Sequence, residues 1–123
     1  MKRKSIIEEK SYKFALRIIR LNKYLNESRR DYTLSKQLLR CGTSIGANIK
    51  EATQSESKPD FIHKLSVALK ETSETEYWIN LLHDSNLMDR KSYDSIMKDC
   101  IEIIKLLTSI VKTSRSRLKE LKS

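Results

Sequence analysis

The sequence predicts an all-α protein, an up-and-down antiparallel four-helix bundle, and three observations carry that prediction. Apolar residues recur every three or four positions along nearly the whole chain, which is the period of a helix face and not the alternation of a strand. Only two glycines and one proline interrupt 123 residues. The places where the period lapses are short, and short connections make consecutive helices antiparallel neighbours. The length suits one modest core, so residues 1–123 are read as a single domain with helices near 5–27, 33–54, 59–85 and 89–120.

The first helix opens on a capping box, Ser5-Ile6-Ile7-Glu8, in which serine and glutamate satisfy each other's free backbone N–H groups. Ile7, Phe14, Ile18, Leu21 and Leu25 form its buried stripe. Lys10, Lys13, Arg17 and Arg20 repeat at the same period on an adjoining face, with Tyr24 at its end. They fall within about 80° of arc and make a basic strip. The run Asn26-Glu27-Ser28-Arg29-Arg30-Asp31 breaks the pattern.

The second helix carries Leu34, Leu38, Cys41, Ile45, Ile49 and Ala52 on one stripe and holds both glycines of the chain, Gly42 and Gly46, beside Thr43 and Ala47. Each glycine costs a helix about 1 kcal/mol relative to alanine. Close approach of another helix offsets that cost, and the groove is read as an assembly surface. Asn48 and Glu51 follow one turn on, and Asn48 is expected to fix register as buried amides do in coiled coils.

Ser57, three residues before Asp60 and followed by Pro59, signals the next start. The third helix has the strict heptad seam Phe61, Leu65, Ala68, Thr72, Thr75, Ile79 and Leu82, small and polar at its centre. Lys70, Glu71 and Glu74 flank the seam and Trp78 continues the acidic line. Left dry and unpaired these charges are costly, so pairing among them, or with a neighbouring subunit, is expected. The helix stops near Ser85-Asn86, and a fourth begins at Asp89 with the seam Ile96, Cys100, Ile103, Leu107 and Ile110, widened by Met97, Ile104 and Val111. Its tail turns basic from Lys112 onward, with Arg115, Arg117 and Lys119.

Ser44-Ile45-Gly46-Ala47-Asn48-Ile49-Lys50-Glu51-Ala52, Ser57-Lys58-Pro59-Asp60-Phe61, Ala68-Leu69-Lys70-Glu71 and Glu74-Thr75-Glu76-Tyr77-Trp78 together resemble the signature of the bacterial four-helix bundle proteins known from 23S rRNA intervening sequences. Cys41 and Lys50 depart from that pattern. The resemblance implies a bundle that assembles into a ring-like homo-oligomer, a pentamer. It also links the chain in fold to the accessory protein of diversity-generating retroelements, a basic barrel that works with nucleic acid and a reverse transcriptase. The glycine cost and the charges beside the seam together make Gly42, Gly46, Asn48, Glu51, Lys70, Glu71 and Glu74 the residues expected to organise packing and assembly, not catalysis.

The net charge of +9 is unevenly spread. Residues 1–30 hold ten Lys and Arg against three Asp and Glu, and residues 100–123 hold six against two, whereas residues 61–99 hold five against seven. The first and last helices therefore offer a positive surface. Lys10, Lys13, Arg17, Arg20, Arg115, Arg117 and Lys119 are the candidate nucleic-acid contacts, suited to phosphates and not to base edges. The competing reading of those charges is a solvated face that keeps the protein dispersed.

Enzymatic constellations are missing from the pattern. Glu71-x-x-Glu74 lacks the histidine of a bundle di-metal motif. His63 and His83 stand about five turns apart on one helix and cannot share a metal. Cys41 and Cys100 have no partner at ligand spacing and read as buried free thiols. No glycine-rich loop follows a strand, so a phosphate cradle of that kind is excluded. Neither a catalytic site nor a cofactor nor a metal is expected.

Lys2-Arg3-Lys4 is followed too soon by Glu8-Glu9 to open a secretory signal, and no apolar run reaches membrane-spanning length. A cytoplasmic protein is the expectation. Two functions are consistent with these features: a non-enzymatic basic oligomer that binds RNA or single-stranded DNA, or an interaction module that assembles with itself or an enzyme partner without touching nucleic acid.

Overall fold

A computed structural model describes residues 5–122; the Lys2-Arg3-Lys4 run lies outside them. Four helices account for nearly all of this span: α1 Ile6–Ser28, α2 Thr33–Ala52, α3 Lys58–Asp84 and α4 Arg90–Lys122. Each packs on its neighbours in sequence and α4 closes back on α1, while the diagonal pairs stay apart, which is the up-and-down four-helix bundle. Of the four neighbouring pairs, α1 and α4 touch least.

The ends of the helices are set by local chemistry. Ser5 Oγ accepts from the Glu8 N–H (3.3 Å) while the Ser5 N–H donates to Glu8 Oε1 (3.4 Å), so the capping box forms in both directions. Ser57 Oγ accepts from the Asp60 N–H at 3.2 Å, and Asp89 Oδ1 from the Ser92 N–H at 2.7 Å. At the start of α2 the same service comes from Asp31, whose Oδ2 accepts from the Ser35 N–H at 2.9 Å. Arg30 (φ 51°) and Asn86 (φ 64°) take left-handed backbone in the turns after α1 and α3. Those turns let the Asp31 N–H reach the Leu25 carbonyl and the Leu87 N–H reach the Leu82 carbonyl, both at 2.9 Å.

The core is continuous from Ile7 and Met97 through Phe14, Ile18, Ile45, Ile79 and Leu107. At its edges the sequence seams need correction. Ile62 is buried and Phe61 only partly so, and Val111 is buried where Ile110 is half-covered. A straight helix drifts by about 20° per heptad against a strict seven-residue repeat, and this carries Val111 of α4 onto the core in place of Ile110; the exchange of Phe61 for Ile62 at the start of α3 runs against that drift. Ser11 and Ser35 are buried where only apolar residues were expected. Ser35 Oγ lies 2.7 Å from Asn26 Oδ1 and 2.8 Å from the Asp31 carbonyl oxygen, and the Ser35 carbonyl accepts from Asn22 Nδ2 at 3.0 Å.

The polar centre of α3 is satisfied within its own helix. Thr72 Oγ1 donates to the Ala68 carbonyl and Thr75 Oγ1 to the Glu71 carbonyl, each at 2.7 Å. Cys41 and Cys100 lie buried beside them. Burial pushes their thiols up to about 11 and about 12, which keeps them protonated and inert as nucleophiles.

The helices differ in length, and this places the surfaces considered next. Lys10 of α1 sits opposite Glu102 of α4, and Arg17 opposite Ser95 and Asp99. With about 1.5 Å of rise per residue in both helices, the first turn of α1 is level with Leu107 or its neighbours. About four further turns of α4 run past it. That overhang has the α2–α3 connection and the first turns of α3 beside it: Ser109, Thr113 and Arg117 face Ser55, Ser57 and Phe61 across an open groove of ≈740 Å³.

Candidate nucleic-acid interface and the polar signature face

The basic strip of α1 forms where its spacing puts it, on the flank towards α4, but α4 answers it with acids. Lys10 Nζ lies 3.0 Å from Glu102 Oε2 and Arg17 Nη1 2.6 Å from Asp99 Oδ2. Arg17 also donates to the Ser95 carbonyl (3.3 Å) and, through Nη2, to Ser95 Oγ (2.8 Å). The outer edge of the strip, Lys13 and Arg20, is exposed, and among the described residues neither stands in an ion pair. The strip is therefore split lengthwise, one edge neutralised and the other open.

The overhang of α4 contrasts with it. Arg115, Arg117 and Lys119 are all exposed, and among the described residues none is ion-paired; Arg115 Nη2 donates to Ser66 Oγ at 3.2 Å. At about 100° per residue, Arg117 points some 160° away from the other two, into the groove that the end of α1 leaves open. Arg115 and Lys119 instead share a face with Lys112 and Lys122, also exposed. Lys112, Arg115, Lys119 and Lys122 lie within about 80° of arc. The sequence set thus loses Arg117 from this face and gains two lysines, and the signal that finds them is the spacing of three, four and three.

The signature residues of α2 and α3 divide between two surfaces. Gly42 faces α1: a Cβ built there would meet Ile18 Cγ1 at 2.8 Å and Cγ2 at 2.9 Å. Gly46 faces the Ser11 backbone and hydroxyl, which a Cβ would meet at ordinary contact distance, 3.5 Å and beyond. The close approach that Gly42 requires is supplied by α1 of the same chain, whereas Gly46 has room for a methyl group. Asn48 Nδ2 donates to the Ser44 carbonyl of its own helix at 2.8 Å and, among the described residues, bonds to no other helix, so the register role expected of it is not seen within the bundle.

On the opposite flank of α2, Arg40 bridges to α3, with Nη1 3.5 Å from Glu71 Oε2 and Nη2 bonded to Glu74 Oε2. The Trp78 indole N–H also donates to Glu74 Oε2, at 3.2 Å. Lys64 approaches Glu51 at 3.9 Å. Lys70 is exposed and takes part in no ion pair among the described residues. The pairing expected of Glu71 and Glu74 exists, but its cation is Arg40, which the sequence offered no means of choosing. These groups are one-quarter to two-thirds exposed, so the network orients side chains more than it stabilises the fold.

An exposed apolar line, Tyr12, Leu16 and Ile19 at relative exposures of 58, 37 and 49 %, runs along α1 at helical spacing. Among the described residues no group of three His, Cys, Asp or Glu could hold a metal ion, and no helix is long and apolar enough to cross a membrane.

Comparison with known proteins agrees with the architecture. A model of the family described as 23S rRNA-intervening sequence protein matches residues 3–109. The basic overhang from Lys112 onward lies beyond that match. The crystal structure of a protein of unknown function from the S23 ribosomal protein family of Bacteroides thetaiotaomicron superposes with a TM-score of 0.86 at 51% identity, covering 87% of this chain and 96% of that one. No curated protein matches the chain.

Proposed function

The chain belongs to the 23S rRNA-intervening sequence protein family, and on that premise we propose that it is a non-enzymatic, cytoplasmic, basic homo-oligomer that binds RNA or single-stranded DNA through phosphate contacts. The observation that carries this reading is the stripe Lys112, Arg115, Lys119 and Lys122, exposed and without a carboxylate partner among the described residues. Successive cations along it advance about 5 Å, the scale on which a nucleic-acid backbone repeats its phosphates. Lys13 and Arg20 add two open charges on α1. The stripe itself offers no base-edge readout, so its specificity is weak.

Self-assembly is supported by the apolar line Tyr12, Leu16 and Ile19, whose burial against another subunit would remove it from water. The ring-like pentamer implied by the family resemblance is the form proposed. The same line and the Arg40–Glu71–Glu74–Trp78 network favour the second reading, an interaction or accessory module that never contacts nucleic acid.

Salt dependence separates the two. Each phosphate neutralised on a single strand contributes about −0.7 to the slope of log K against log salt, so a stripe of four predicts about −3. Absence of retention on a short single strand at low salt, or a slope near zero, replaces this function with the interaction module.

A further inference from the structure

Near the turn between α3 and α4, the loosely packed α1–α4 seam opens into a cavity of ≈340 Å³. Its origin is the small residue that α4 places there: Ser92 stands opposite Leu21 and Tyr24 and does not fill the space between the helices. Leu21, Met88 and Ile96 give it an apolar floor, with Met88 and Ile96 buried. Arg20 and Tyr24 stand at its rim, both exposed, at the end of the basic strip. Asp89 lines it as well, its carboxyl held below the usual range by the hydrogen bonds it accepts from Ser92.

We infer that this cavity receives one unstacked nucleotide of a single-stranded nucleic acid, its base against the Tyr24 ring and the apolar floor and its phosphate at the Arg20 guanidinium. The inference rests on the nucleic-acid reading above and deepens it. A bare phosphate track has no use for an apolar floor or an exposed aromatic ring. A base has a π-face for the ring, apolar surface for the floor and, in most bases, N–H groups that the Asp89 carboxylate can accept. The volume is of the size that small ligands occupy. Both a ribose and a deoxyribose strand present this chemistry, and the assay has an arm for each.

The test measures binding of short oligouridylate and oligodeoxyuridylate to the full chain, each beside a strand of equal charge whose bases have been removed. Stacking of one base is worth roughly tenfold in affinity, so the parent is expected to bind the base-bearing strands about tenfold more tightly than the baseless ones. Tyr24→Ala should lose that margin and bind both kinds alike, while Tyr24→Phe, which keeps the ring, retains it. Circular dichroism of each variant reports that the bundle is intact. A preference for uridylate over deoxyuridylate, or the reverse, assigns the sugar. If the parent binds base-bearing and baseless strands equally, with the salt slope intact, the cavity proposal is overturned and the phosphate reading survives. If neither strand binds at low salt, the nucleic-acid reading falls and takes the cavity proposal with it.

Discussion

The α1 strip and the α4 overhang carry the same residue types at the same helical spacing, yet their charges meet different fates. Along α1 every second cation faces a carboxylate of α4, Lys10 against Glu102 and Arg17 against Asp99. Past the first turn of α1 the overhang keeps α3 beside it, but among the described residues no carboxylate pairs with its stripe, and Lys112, Arg115, Lys119 and Lys122 remain open. The paired groups are themselves about two-fifths exposed, so each pair is worth at most about 1 kcal/mol to the fold. Their consequence is electrostatic: they lower the potential along the α1–α4 seam and leave the overhang as the stronger attractor of a polyanion. The number of cations counted along one helix face of a sequence is an upper bound on the charge that a partner meets there.

The largest effect is expected from reversing the overhang. Changing Lys112, Arg115, Lys119 and Lys122 together to glutamate should weaken binding to a short single strand by a hundredfold or more at low salt and flatten the salt slope by about 3. Melting temperature should stay close to the parent's, because none of the four supports the core. Binding that survives in this variant would transfer the interface to α1 and invert the comparison.

The two sides of α1 sharpen it next. Towards α2 the helix is closely packed, and Gly42→Ala pushes a methyl group into Ile18; overpacking of this kind costs about 1–3 kcal/mol, read as a lower denaturation midpoint with an unchanged salt slope. Towards α4 it is loosely bridged. Arg17→Glu sets a carboxylate against Asp99 in place of an ion pair and should cost about 1 kcal/mol. A Gly42→Ala protein as stable as the parent would mean that α1 shifts freely on α2, contrary to the packing described.

The smallest expected change is a gain. Glu102→Gln removes the partner of Lys10, and freeing one cation should steepen the salt slope by about 0.7 with stability altered by less than about 0.5 kcal/mol. An unchanged slope would show that Lys10 is as available to phosphate while paired as when free.

Much of the fold was legible because it rests on local chemistry. Ser5 with Glu8, Ser57 with Asp60 and Asp89 with Ser92 mark helix starts through bonds made within one turn. The stripes Phe14–Ile18 and Cys100–Ile103–Leu107 need only the 3.6-residue period to declare a buried face. The seam ends were less legible: Ile62 and Val111 are buried where the seams named Phe61 and Ile110, and only the second exchange follows from drift against a strict heptad. Of the candidate interface, the cations were visible one by one, but their partition into paired and open was not.

By itself the sequence determined four helices, their starts, their buried faces and the concentration of positive charge at both ends of the chain. Each depends on residues within a turn or two of one another. The tertiary structure alone decided that the Gly42 face receives Ile18, that Arg40 is the cation for Glu71 and Glu74, and that Lys10 and Arg17 are spoken for while the end of α4 is not. Those outcomes depend on the axial register between helices. A helical period tells which face turns inward, but it carries no information on which residue of another helix will stand opposite, or on where one helix ends beside a longer one.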